Sequence, residues 1–96
     1  MQDDDFEWDD DKAAINLVNH GVSFDTARHA FTDAFAIGRE DTRERYGEAR
    51  YILLGMAGDR LLHVTYTLRE ERVRIISVRL AEPRERRRYH DENAQD

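Results

Sequence analysis

Three strand-like runs between Arg50 and Leu80, separated only by hairpin-sized turns, restrict the fold more than any other feature. Arg50-Tyr51-Ile52-Leu53-Leu54-Gly55-Met56 is almost continuously apolar, which predicts a strand covered on both faces. Ala57-Gly58-Asp59-Arg60 reads as a hairpin turn. In the next run Leu62, Val64, Tyr66 and Leu68 alternate with His63, Thr65 and Thr67. Glu70-Glu71 marks a second turn, and Val73 to Leu80 is the last strand. Strands joined this tightly pair antiparallel, because a parallel return needs a crossover of a dozen residues or more. A short edge strand around Ala36–Arg39 brings the expected number to roughly four, with a charged loop over Gly38–Glu48.

Helical periodicity flanks this block. Asp9 or Asp10 is placed to cap a first helix running to about Asn19, with Ala14, Ile15, Leu17 and Val18 as its expected core stripe and Gly21 as its end. Phe6 and Trp8, alternating with Glu7, read as a short extended piece that pins this helix. Ser23 caps a second helix, ending near Asp33, whose core face is expected to hold Phe24, Ala27, Phe31 and Phe35. Pro83 suits the first turn of a closing helix, Arg84 to about Asn93, which has almost no apolar face beyond Tyr89. Two helices, then hairpin strands, then one helix is an α+β arrangement, with the N-terminal helices packed on a roughly four-stranded antiparallel sheet. A chain of 96 residues holds one such domain, expected over 1–96 with flexible ends at 1–5 and 91–96.

Charge is divided unevenly. Residues 1–48 hold 13 acids and 5 bases; from Arg60 to Tyr89 there are 9 arginines against 4 glutamates. Of 15 cations, 14 are arginine, the side chain best shaped for phosphate and carboxylate. A basic segment in a chain of net charge −6 points to a polyanion or an acidic partner, or to faces that pair with the chain's own acids. The absence of cysteine excludes disulfides, thiolate metal sites and cysteine nucleophiles. No apolar run approaches the ~20 residues that span a bilayer, and the acidic start does not resemble a signal peptide. A cytoplasmic protein that does not engage a membrane is expected.

No phosphate loop, nucleophile elbow, metal motif or cofactor signature is present, and the histidines at 20, 29, 63 and 90 show no ligand spacing. The arginines remain. By simple alternation Arg79 shares a strand face with Ser77 and Ile75, and there it either pairs with an acid or points into an open cleft toward an anion. Arg84, Arg86, Arg87 and Arg88 follow within two helical turns, with Glu85 among them. His20 ends the first helix, where the dipole favours a cation and where a proton can also be exchanged near neutral pH. Tyr66 and Trp8 can stack on bases or serve as core.

Several segments together resemble the BrnT family of toxins. They are Phe6-Glu7-Trp8-Asp9, Lys12, Asn16 and His20-Gly21-Val22-Ser23-Phe24; Asp41 through Tyr51; and Ile75-Ile76-Ser77-Val78-Arg79, Ala81, Glu85-Arg86-Arg87 and Tyr89. The resemblance implies a RelE-like fold and a ribonuclease toxin of a type II toxin–antitoxin system that inhibits translation and growth. It further implies neutralisation by a BrnA-like antitoxin, and operator DNA contacted only through the complex with that antitoxin.

Metal-independent RNA cleavage needs charge stabilisation at phosphate and groups that move protons. The positions that match the family offer Arg79 and Arg86 as phosphate clamps, with His20, Lys12 and Glu85 as proton-transfer or positioning residues and no metal or cofactor. Arg50, Tyr66, Arg84 and Arg87 are the expected RNA contacts. Asn19, Leu80 and Glu82 depart from the family pattern, each toward less positive charge or a weaker cap. They keep a second reading open, an inactive co-repressor module that only binds its antitoxin.

Overall fold

A computed structural model describes residues 1–43 and 47–94. Its elements run β1 (Phe6–Glu7), α1 (Asp10–His20), α2 (Phe24–Ala30), β2 (Ile37–Asp41), β3 (Arg50–Ala57), β4 (Arg60–Arg69), β5 (Arg72–Leu80) and α3 (Pro83–Glu92). The sheet order is β1-β5-β4-β3-β2. Strands β2 to β5 form the expected antiparallel meander. The sheet is nonetheless five-stranded and mixed, because Phe6 and Glu7 pair in parallel with Val73 and Arg74. Two residues carry little periodic signal, so this strand read only as an extended lead-in. Residues 1–5, read as a frayed tail, carry hydrogen bonds: the Trp8 N–H donates to Met1 O, and the Phe6 and Asp5 N–H groups donate to the Asp3 carboxylate. Glu44, Arg45 and Tyr46 of the expected loop, and Gln95 and Asp96 of the expected C-terminal tail, lie outside the described residues.

The helix caps follow local chemistry. Asp9 accepts from the N–H groups of Asp11 and Lys12, and Gly21 closes α1 at φ 71°, a conformation that favours glycine. Ser23 caps α2. That helix stops at Ala30 rather than near Asp33, so Phe35 falls beyond it and is exposed.

The expected core stripe of α1 is overturned. Ile15, Leu17 and Val18 are 60%, 49% and 85% exposed, and the buried residue of the helix is Asn16. Its amide replaces a missing neighbour strand. β1 covers the outer edge of β5 only at Val73 and Arg74. Further along, Asn16 Nδ2 donates to Val78 O and Val22 O, and Asn16 Oδ1 accepts from Val78 N–H. Backbone groups at a covered edge must be satisfied, and here one side chain does it.

A second irregularity sets the faces of β5. Thr65 pairs with Ser77 but Tyr66 pairs with Ile75, so Ile76 is an extra residue. Alternation reverses across it. Val73, Ile75 and Val78 all join the core beneath α1 and α2, together with Leu62, Val64, Phe24 and Ala27. Arg79 is thereby delivered to the opposite face, and it does not share a face with Ile75. A smaller core of Leu54, Leu61, Ala81 and Tyr89 lies on that opposite face beneath α3. The covering of β3 from both sides is as expected. At Gly55 the α2 backbone comes so close that a Cβ would lie 2.5 Å from Ala30 O.

Replacing Asn16 with Ala strands two backbone groups of Val78. The expected cost is about 2 kcal/mol, or a fall of roughly 8–16 °C in Tm, read by thermal denaturation. An unchanged Tm would show that the edge of β5 does not depend on the amide.

Candidate active site

The closing helix has little apolar surface with which to hold its place. Three polar links do so instead. Tyr89 OH donates to Asp33 Oδ2 at 2.6 Å, and the same carboxylate accepts from the N–H groups of Met56 and Phe35. Burial and this bond together push the Tyr89 hydroxyl up to about 12. Asn93 Nδ2 donates to Phe35 O. At the other end of α3, Glu85 faces the sheet and meets Arg79.

This pair is the centre of the site. Arg79 Nη1 donates to Glu85 Oε1 at 2.8 Å and Nη2 donates to Oε2 at 3.0 Å. The Glu82 N–H donates to the same carboxylate at 2.7 Å. Burial alone would raise the Glu85 pKa. The Arg79 hydrogen bonds, the Glu82 N–H and the Arg79 charge outweigh it and bring Glu85 down to about 2. His63 lies between Leu54 and Arg79 in the sheet register, with Nε2 3.7 Å from Glu85 Oε2. Burial and the Arg79 charge lower its pKa below the usual 6.5, against the pull of Glu85. The imidazole is thus held neutral at physiological pH, in reach of both a carboxylate and a guanidinium.

Around this core runs a cleft lined by Ile37, Ile52, Leu54 and His63, with Arg39, Glu85 and Arg88 at its side. Its outer lip is Arg39, Arg84, Glu85 and Arg88. Arg39 comes from β2, and the other three come from the first two turns of α3. Side chains distant in sequence therefore place three guanidinium groups above one histidine.

The structure brings together some of the residues expected from sequence and separates others. Arg79, Glu85 and Arg84 meet here. Arg79 is engaged by Glu85, so of the two outcomes open for it the paired one holds. Arg50 lies on the same sheet face, opposite Asp41. Arg86 and Arg87 are exposed and do not line the cleft. Lys12 and His20 line a separate groove with Asn16, Asn19 and Ile76, between α1 and β5, that shares no residue with the cleft. Tyr66 packs on the other face of the sheet, with ring centroids 5.0 Å from Phe31 and 5.5 Å from Tyr51, and so serves the core.

His63 and Arg39 were missed as site residues. The alternation of β4 did mark His63 as a polar-face residue. Its neighbours, however, are set by strand register and by the docking of α3, neither of which is a local signal. Among the described residues no group of three His, Asp or Glu side chains is arranged to hold a metal ion. Among them, too, no helix is long and apolar enough to cross a membrane.

Because the folded-state pKa of Glu85 lies below its ordinary 4.5, its stabilising contribution is complete above about pH 4.5 and is lost as pH falls toward 2. His63 acts in the same direction below pH 6.5, since protonating it opposes the fold. Urea midpoints measured from pH 7 to pH 2 should show this decline. Glu85→Gln should start lower at pH 7 and fall less steeply between pH 4.5 and 2. A parallel decline in the variant would refute the assignment.

No curated protein matches the chain. One family model does match, over residues 8–85, and it describes BrnT, the ribonuclease toxin of a type II toxin–antitoxin system. The matched stretch includes Lys12, His20, His63, Arg79 and Glu85, and it ends before the arginines at 86, 87 and 88. A match across most of these 96 residues settles the family, so the chain belongs to the BrnT ribonuclease toxins of type II toxin–antitoxin systems, whose partner is an antitoxin.

Proposed function

We propose that this chain is an endoribonuclease that cleaves RNA without a metal ion, arrests growth, and is neutralised by a BrnA-like antitoxin. The observation that carries this reading is the imidazole of His63, held against the Glu85–Arg79 pair beneath the lip of Arg39, Arg84 and Arg88.

Cleavage begins when His63 takes the proton of a ribose 2′-OH. The freed oxygen attacks the adjacent phosphorus, and the bond to the 5′-oxygen breaks. A 2′,3′-cyclic phosphate and a 5′-hydroxyl result, the leaving oxygen taking a proton from water at the open mouth of the cleft. An imidazole whose protonated form is disfavoured by burial and by the Arg79 charge is free to take this proton. Glu85 is too acidic to act as that base and instead fixes the imidazole. Arg79 fixes Glu85, and the lip arginines meet the negative charge that grows on the phosphate. Arg50, Arg86 and Arg87 extend the positive surface along which the RNA backbone runs. Lys12 and His20 stand outside this centre, and the test below includes them.

The engagement of Arg79 by Glu85 supports a second reading, in which the pair serves only to dock α3 and the protein is a co-repressor without catalysis.

Purified protein incubated with total RNA at low salt, with a chelator present, separates the two. Cleavage is expected, with His63→Asn reducing it about 100-fold or more and Lys12→Ala and His20→Ala leaving it within a few-fold. Full cleavage by His63→Asn would overturn the assignment, and no cleavage by the wild type under any condition would favour the co-repressor. RNA affinity should fall with salt at a log–log slope between roughly −2, for phosphate contacts from the three lip arginines alone, and about −4, if Arg50, Arg86 and Arg87 also engage the single strand. Arg39→Ala should make that slope shallower.

A further inference from the structure

The face that α1 turns to solvent is the reverse of an ordinary surface helix. Its polar Asn16 is inside, and the outward side carries Ala14, Ile15, Leu17 and Val18, three of them about half exposed or more. Ala14 and Val18 stand one turn apart, and Ile15 lies beside them at helical spacing. A shallow depression lined by Ala14, Ile15, Val18 and Asn19 follows this stripe and continues, through Ile15 and Asn19, into the groove that reaches Ile76. An apolar stripe left outside the core in so small a protein marks an interaction surface.

The charge around the stripe identifies what covers it. Asp10 and Asp11 lie on the same outward side in the first turn, with Asp4 and Asp5 just before them in the chain. Asp10 pairs with the N-terminal ammonium, while Asp4, Asp5 and Asp11 make no side-chain ion pair among the described residues. A second copy of this chain would set two such halves, each with 13 acids and 5 bases, against each other. An anionic membrane surface would be repelled in the same way. A cationic partner is attracted.

We propose that the outward face of α1 is the antitoxin's docking surface. It takes an amphipathic antitoxin helix whose apolar stripe lies on Ala14, Ile15 and Val18 and whose basic residues reach Asp10 and Asp11. This rests on the antitoxin reading above and adds the surface and the chemistry of its occupant. The docking face lies apart from the cleft, so an antitoxin held there leaves the lip arginines for its other segments to cover.

The test titrates purified toxin with a purified BrnA-like antitoxin, by calorimetry, at two salt concentrations. Val18→Asp should bind at least about tenfold more weakly, with Tm and RNA cleavage by the free toxin unchanged. Asp10→Lys with Asp11→Lys should also weaken binding and reduce its salt dependence. If Val18→Asp binds as tightly as the wild type, the surface assignment is wrong. If the wild type is a dimer that Val18→Asp dissociates without loss of antitoxin affinity, the stripe joins two copies and the proposal is again overturned. If the wild type binds no antitoxin at all, the antitoxin reading falls and this surface falls with it. His63→Asn, which should abolish cleavage yet bind antitoxin normally, keeps the two failures distinguishable.

Discussion

The carboxylate of Glu85 ties together three elements, β4, β5 and α3. It receives both terminal nitrogens of Arg79 from β5 and the backbone N–H of Glu82 at the start of its own helix, and it lies beside His63 of β4. A half-buried guanidinium without such a partner would be costly, and so would the carboxylate without the guanidinium. Each therefore stabilises the place of the other. Together with the Tyr89–Asp33 bond they hold a helix that burial alone could not keep against the sheet.

Two departures from regularity make this meeting possible. The extra residue at Ile76 reverses the alternation of β5, so that one strand feeds Ile75 and Val78 to the main core and Arg79 to the opposite face. Asn16 then closes the edge of β5 that β1 does not reach. The second device has a consequence for α1. By turning its polar residue inward, the helix turns Ile15 and Val18 outward. The same rotation that completes the sheet leaves an apolar face for another molecule.

The two faces of the sheet divide the work of the protein. One carries the larger core, with the aromatic cluster of Phe6, Phe31, Tyr66 and Tyr51 on it. The other carries the cleft, where burial and a neighbouring guanidinium hold a histidine neutral and arginines from two elements gather at the rim. A net charge of −6 does not prevent a local cationic surface, because the acids are concentrated in the first half of the chain.

What the amino-acid order determined by itself was local. The caps at Asp9 and Ser23, the turn to Gly21, Pro83 at the head of the last helix and the three-strand meander all depend on residues within a few positions of one another. The order and spacing of the matching segments likewise carried the family resemblance, and with it Arg79 and Glu85 as candidates. What only the tertiary structure decided was relational. The parallel pairing of Phe6 and Glu7, the outward rotation of α1, the placing of Tyr66 in the core and the union of His63 with Arg39, Arg79 and Glu85 each require contacts between distant segments. Periodicity states that a helix or strand has two sides. Which side faces the core depends on unsatisfied groups elsewhere, here the open edge of β5, and on a register that a single extra residue can reverse.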